Sequence, residues 1–105
     1  ASGALDILKL IRISNLANAL RELSKAGVWL VGSAEEGGQS LYDVDFLLPT
    51  AIIVGNEGSG IRELTKTLCN IVVSLPSRGV LSSLNVSNAA TVLIYEALRQ
   101  RIHKR

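Results

Sequence analysis

Two short segments of this sequence combine glycines with polar side chains directly after apolar runs. The first is residues 54–60, Val-Gly-Asn-Glu-Gly-Ser-Gly, and the second is residues 82–88, Ser-Ser-Leu-Asn-Val-Ser-Asn. In open α/β sheets, ligands bind where the carboxyl end of a strand passes into a helix. We therefore expect both segments to face a ligand.

The glycine-rich segment allows close approach of the backbone to a ligand, although a tight strand-to-helix connection would use the same residues. No Lys-Ser or Lys-Thr follows Gly60, and the stretch 73–75 holds no acidic residue, which disfavours triphosphate loops and dinucleotide-binding dehydrogenases. Glu57 could anchor a cation or orient another side chain. Alternatively, its carboxylate complements the N-terminus of the helix expected from Ile61 onward.

The second segment carries more polar side chains than one helix cap requires, so some of them should face a site. A Ser/His/Asp triad is disfavoured, because the only histidine, His103, lies in the basic tail, where we expect it to be solvated. The sequence shows no cluster of metal ligands, which argues against a metal enzyme. Cys69, the single cysteine, is interpreted as a small buried hydrophobe.

Composition indicates one small aliphatic α/β domain. The chain has 105 residues, 48% of them apolar and only 4% aromatic, and its net charge is +2. The terminal cluster of Arg99, Arg101, Lys104 and Arg105 could contact phosphates or complement a helix dipole. No apolar run approaches membrane-spanning length and no secretory signal opens the chain, so we expect a cytoplasmic protein without membrane contact.

Periodicity predicts alternating helices and strands. A helix begins after Ser14-Asn15 and stops at Gly27, a short helix follows Ile61, and a long one covers about Val86 to Ile102, with Asn85 or Ser87 as its cap. Three apolar runs, 28–31, 51–54 and 71–75, predict three buried parallel strands, the first of which ends at Gly32-Ser33. Residues 35–40 are interpreted as a surface loop, and 41–48 are too weakly patterned to assign. The simplest architecture is a mainly parallel sheet flanked by helices.

Residues 53–61, 73–76 and 83–90 together resemble the second and third motifs of the SpoU family, within the SPOUT superfamily of RNA ribose 2′-O-methyltransferases. Residues 1–4, 15–17 and 27–32 are similar to the segments that precede those motifs, so the resemblance covers nearly the whole chain. It implies an α/β fold with a deep trefoil knot that holds S-adenosylmethionine. It also implies an RNA substrate, ribosomal or transfer, and a homodimer formed through the knotted region with the last helix at the interface.

The resemblance assigns roles position by position. Backbone groups near Gly55, Leu75 and Leu84 would hold the cofactor's adenosine, and the strand end at Val31, Gly32 and Ser33 would line the same pocket. Glu57, Asn85 and Ser87 match the polar positions of the catalytic site. The implied reaction needs no metal, because a sulfonium methyl group is already activated for transfer.

One part of the family pattern has no match in these residues. The first motif supplies an asparagine and the arginine assigned to activating the 2′-hydroxyl, and Arg12, Arg62 and Arg78 stand in other contexts. We therefore expect residues 1–105 to form a single domain that is the C-terminal portion of a SpoU-type catalytic domain. The alternative is a non-catalytic α/β module that binds RNA or a nucleotide.

Overall fold

A computed structural model of the chain describes residues 15–34, 37–55, 61, 63–75 and 86–103. These described residues form three α-helices and four strands in the order α1 (Leu16–Lys25), β1 (Trp29–Ala34), β2 (Gln39–Ser40), β3 (Thr50–Ile53), α2 (Glu63–Leu68), β4 (Ile71–Ser74) and α3 (Val86–Ile102). A 3-10 helix, Leu41–Asp43, follows β2. All strand pairs are parallel, in the order β2-β4-β1-β3, which confirms the parallel α/β class.

Two strand predictions were wrong. Strand β1 does not end at Gly32-Ser33 but continues to Ala34, because its last two residues pair with Val73 and Ser74 of β4. Residues 39–40, interpreted as part of a loop, form the edge strand β2 by pairing with the same two residues from the other side. The described sheet therefore has four strands where apolar runs predicted three.

Local signals set the bounds of α1. The side chain of Asn15 accepts a hydrogen bond from the Asn18 amide at 3.0 Å, which caps the first turn. Gly27 follows the last turn with φ at +90°, a conformation that glycine adopts without strain. Both residues were predicted to bound this helix.

Two hydrophobic clusters cover opposite faces of the sheet, because consecutive strand residues point to opposite sides. Val31, Val73, Phe46 and Leu93 belong to the first cluster, which packs α3 and the segment after β2 against one face. Leu20 and Leu30 belong to the second, which packs α1 and α2 against the other face. Among the described residues, no helix combines the length and apolar character that crossing a membrane requires.

Strand β4 lies between β1 and β2, so the short connection from β1 to β2 has to cross it. The crossing occurs at Gly38, where an added Cβ would lie 2.7 Å from the carbonyl oxygen of Val72. Val73 belongs to the first cluster, so the side chain of its neighbour Ser74 points to the opposite face of the sheet, the face of the second cluster. There it accepts a hydrogen bond from the Gly38 amide. Leu41 and Phe46 lie in the first cluster, and the chain therefore passes around β4.

This arrangement is one requirement of the trefoil knot. The path that would complete the knot runs through residues 76–85, between β4 and α3, and these lie outside the described residues. The knot therefore stays a prediction.

Helix α3 is tied to the segment after β2 by side-chain hydrogen bonds to the backbone. Gln100 accepts from the Phe46 amide and donates to the Val44 carbonyl, both at 2.8 Å. Arg101 donates to the carbonyls of Phe46 at 2.9 Å and Leu48 at 2.8 Å. These bonds fix the last turns of α3 against the chain that leads into β3.

Glu96 orients this attachment. The residue is 7% exposed, and its carboxylate accepts two hydrogen bonds from Arg99, at 2.8 and 2.9 Å, and one from Gln100 at 2.9 Å. The hydrogen bonds from Arg99 hold the pKa of the Glu96 carboxyl below its ordinary value, against the opposing effect of burial. The carboxylate thereby keeps the Gln100 amide turned toward Val44.

Asn70 extends the pairing of β1 with β4 by one residue. Its side-chain oxygen accepts from the Leu30 amide at 2.8 Å, and its own amide donates to the Leu30 carbonyl at 2.8 Å. Leu30 is 1% exposed, so water cannot replace the side-chain acceptor.

Replacing Asn70 with alanine should therefore lower the free energy of unfolding by about 1–3 kcal/mol, the cost of an unpaired buried amide. Asn70→Asp retains an acceptor oxygen and should lose less. Urea unfolding measures both, with Asn18→Ala at an exposed position of α1 as control. Equal stability of the alanine and aspartate variants would contradict the assigned role.

Candidate ligand site at the carboxyl edge of the sheet

The carboxyl ends of β3, β1 and β4 lie side by side. Gly32 pairs with Ile53, the last residue of β3, and Ala34 pairs with Ser74, the last residue of β4. Gly55 comes two residues after β3, and Leu75 comes directly after β4. The structure therefore brings Gly55 and Leu75 to either side of the carboxyl end of β1, where ligands bind in parallel sheets.

The first polar segment singled out in the sequence, residues 54–60, starts at this edge, whereas the second, residues 82–88, begins seven positions after Leu75 and lies largely outside the described residues. Residues 56–60 follow Gly55, and residues 76–85 follow Leu75 and lead into α3. Glu57, Leu84 and Asn85 lie outside the described residues. Ser87 is in the first turn of α3, and only its backbone is described. Their roles in a site remain predictions.

Val31 and Gly32 lie further back from the edge than predicted. Because β1 continues to Ala34, they occupy its middle, and Val31 is fully buried in the first cluster. Gly32 faces the second cluster, where an added Cβ would lie 2.7 Å from Ile61 Cδ1 and 2.8 Å from Cys69 Sγ. Close packing thus explains the glycine without a ligand.

Sequence reasoning missed Ser74 and Gly38 at this edge. The hydroxyl oxygen of Ser74 accepts a hydrogen bond from the Gly38 amide at 2.8 Å, across 36 residues of chain. Gly37, beside it, has φ at +87°. The pair of glycines in an otherwise polar stretch was the available signal, but it indicates a turn and does not identify the strand that the turn crosses.

A second feature lies on the outer side of α3. Leu41, Tyr42, Val92, Tyr95, Glu96 and Arg99 line an open groove of about 240 Å³. Tyr42 is 66% exposed and Tyr95 is 75% exposed, so two of the residues that line the groove are largely exposed aromatic residues. The periodicity of α3 did not reveal this groove, because Tyr42 comes from a segment without a clear pattern.

The sequence predicts a buried Cys69 and a solvated His103. Cys69 is partly buried in the second cluster, and burial raises the pKa of its thiol, which disfavours the nucleophilic thiolate. His103 is exposed, as predicted. In the part of the chain that the structure describes, no three His, Cys, Asp or Glu side chains are grouped to hold a metal ion.

Comparison with known proteins gives a consistent match. The model of the SpoU rRNA Methylase family matches residues 1–95. The 23S rRNA (guanosine-2′-O-)-methyltransferase RlmB of Ralstonia nicotianae is 48% identical over 101 residues, which are 96% of this chain and 41% of that protein. The chain thus spans about two fifths of the length of the curated relative.

Two solved structures share the fold. The A. aeolicus TrmH/SpoU tRNA modifying enzyme has a TM-score of 0.81 at 31% identity, covering 88% of this chain and 47% of that one. The SpoU methyltransferase AviRb from Streptomyces viridochromogenes, in complex with AdoMet, has a TM-score of 0.75 at 40% identity, covering 90% and 38%.

The packing around Gly32 generates a stability prediction. Gly32→Ala should cost about 1–3 kcal/mol of unfolding free energy, because the new methyl group overlaps Ile61 and Cys69. Adding Ile61→Val and Cys69→Ala removes the two overlapping atoms and should restore much of the loss. Urea unfolding of the triple variant, compared with Ile61→Val/Cys69→Ala alone, measures the recovery.

A Gly32→Ala variant with unchanged stability and weakened ligand binding would show that a ligand, and not the packing of Ile61 and Cys69, requires this glycine.

Proposed function

Because this chain belongs to the SpoU rRNA methylase family, we propose that it forms the cofactor-binding part of an S-adenosylmethionine-dependent RNA ribose 2′-O-methyltransferase. The observation that carries the proposal is the family match over residues 1–95, combined with a parallel sheet whose carboxyl edge brings Gly55 and Leu75 to the two sides of β1. The similarity to AviRb, solved with AdoMet, supports the choice of cofactor.

The edge offers suitable groups for this cofactor. Leu75 follows β4 directly and Gly55 comes two residues after β3, so their backbone groups lie past the hydrogen-bonded ladder. Val54 and Leu75 pack against the first cluster and give the edge an apolar floor for an adenosine. Leu84 would complete the pocket, and the backbone of β1 beyond Val31 and Gly32 would line it.

The bound cofactor supplies an activated methyl group to a ribose 2′-hydroxyl. The protein has to orient that hydroxyl and take up its proton. Glu57, Asn85 and Ser87 supply a carboxylate, an amide and a hydroxyl for these tasks. In the sequence, Glu57 follows Gly55, and Asn85 and Ser87 follow Leu75; Gly55 and Leu75 lie on either side of β1.

We propose large-subunit ribosomal RNA as the substrate and a guanosine ribose as the methylated group, following the curated relatives. Transfer RNA is the second candidate, because a close structural neighbour is described as a tRNA modifying enzyme. A cytoplasmic location remains part of this proposal.

The complete protein should transfer tritiated methyl groups from S-adenosylmethionine to unmodified 23S rRNA. Glu57→Gln, Asn85→Ala and Ser87→Ala should each reduce transfer by about 10²-fold or more, because they orient or deprotonate the reacting hydroxyl. Cofactor binding, measured by calorimetry, should change little. Ser24→Ala at an exposed position of α1 serves as the matched control for Ser87→Ala.

Three outcomes separate the possibilities. Absence of cofactor binding by the complete protein would overturn the methyltransferase proposal. RNA binding without methyl transfer would favour the non-catalytic binding module. Transfer to tRNA and not to rRNA would retain the activity and change the substrate.

We also propose that the protein forms a homodimer through the outer side of α3. Val92, Tyr95 and Ile102 are exposed on this helix although its opposite side already packs against the sheet. An exposed apolar surface of this kind is typical of a protein interface. The family resemblance also implies a dimer formed through the knotted region, with the last helix at the interface.

Tyr95→Glu should shift the protein from dimer to monomer in sedimentation analysis, because it places a charge in the apolar groove. The side chain is 75% exposed, so the fold should tolerate the change. Leu64→Glu on α2, where the leucine is 58% exposed, is the matched control and should leave the mass unchanged. A Tyr95→Glu variant that stays dimeric would place the interface elsewhere.

A further inference from the structure

We propose that Ser74 is a positioning residue for the cofactor site, which it serves by holding the segment that crosses β4 against the end of that strand. The inference rests on the proposed function, because the site in question is the one for S-adenosylmethionine. Ser74 lies within residues 73–76, which resemble a family motif, but the resemblance assigns no role to its side chain.

The contact at the crossing is unusually close. An added Cβ on Gly38 would lie 2.7 Å from the Val72 carbonyl oxygen, 2.7 Å from the Val73 carbonyl carbon and 2.9 Å from the Ser74 nitrogen. Backbone therefore lies directly on backbone, with no side chain between them. The hydrogen bond of 2.8 Å from the Gly38 amide to the Ser74 hydroxyl joins the two segments at this point.

Loss of this hydrogen bond would remove the acceptor that the Gly38 amide has in the structure. The Gly38 amide belongs to a partly buried residue, and a partly buried donor without an acceptor carries an energetic penalty. The neighbouring Gly37 has φ at +87°, so the turn is set for this approach. Loss of the hydroxyl should allow the crossing segment to separate from the end of β4.

The end of β4 is also where the proposed cofactor contacts lie. Leu75 follows Ser74 directly, and Ala34 pairs with Ser74 across the β1–β4 ladder. On the other side of β1, Ile53 pairs with Gly32, and Gly55 lies two residues after Ile53. A displacement at Ser74 therefore passes to Leu75 through one peptide bond and to the carboxyl end of β1 through the ladder.

A second serine provides an internal comparison. Ser40 of β2 pairs with Ser74 in the sheet, and its hydroxyl also accepts a backbone hydrogen bond, from the Tyr42 amide at 3.2 Å. That bond spans two residues and stays within its own turn. Removal of the Ser40 hydroxyl deletes a similar interaction without releasing the crossing segment.

The test is calorimetric titration of the complete protein with S-adenosylmethionine. Ser74→Ala should raise the Kd roughly 3- to 10-fold, the range expected for loss of one hydrogen bond. Ser74→Thr retains the hydroxyl and should stay within about twofold of the wild type, as should Ser40→Ala. The KM for the cofactor should rise with the Kd, while kcat at saturating cofactor should change less than about twofold.

Hydrogen exchange and thermal unfolding complete the test. Exchange of the Gly38 amide should be faster in Ser74→Ala than in Ser74→Thr. An unchanged Kd in Ser74→Ala, an equal weakening in Ser40→Ala, or failure of Ser74→Thr to preserve binding would each overturn the inference. A Kd that merely follows the loss of melting temperature across all three variants would also overturn it.

The two proposals can fail separately. If the wild-type protein does not bind S-adenosylmethionine, the proposed function fails and this inference fails with it. If the wild type binds and Ser74→Ala binds equally well, the proposed function stands and only the role of Ser74 is lost.

Discussion

The position of β4 between β1 and β2 is the constraint on which the rest of this structure depends. Strand β4 comes after β1 and β2 in the sequence but lies between them in the sheet. The chain that joins β1 to β2 therefore has to cross the position that β4 occupies. The crossing at Gly38 succeeds because glycine lets the two backbones touch. The chain then turns through β2 and returns on the opposite face, where Leu41 and Phe46 enter the core.

Helix α3 stabilises this arrangement from the outside. The chain that passes around β4 has few backbone partners between β2 and β3, and an unsatisfied buried backbone group is costly. Gln100 and Arg101 supply the missing partners at Val44, Phe46 and Leu48. Glu96 keeps Gln100 in the required orientation. Helix α3, which follows β4 in the sequence, thus stabilises the segment between β2 and β3 that passes around β4.

The sequence predicted those elements whose signal is local. Helix α3 begins and ends where its apolar spacing indicated, and β3 and β4 follow apolar runs to within one residue. Strand β2 could not be found, because its two polar residues are a strand only through their pairing with Val73 and Ser74. The same long-range pairing extends β1 to Ala34. For the site, the common edge of Gly55 and Leu75 follows from parallel strands, whereas the packing role of Gly32 depends on Ile61 and Cys69, which lie far away in sequence.

Helix α3 also connects the two surfaces on which the proposed function depends. An ordinary surface helix buries one apolar stripe, but α3 packs Leu93 and Ala97 against the sheet and exposes Val92 and Tyr95 on its other side. Its first turn contains Ser87, and Tyr95 lies eight residues later, about 12 Å along the axis. A second copy seated on Tyr95 would therefore restrain the same helix whose first turn contains Ser87, a residue of the proposed site. The proposed dimer and the geometry of the proposed site would then both depend on this helix, since a rigid helix that is fixed at its outer side cannot move freely at its first turn.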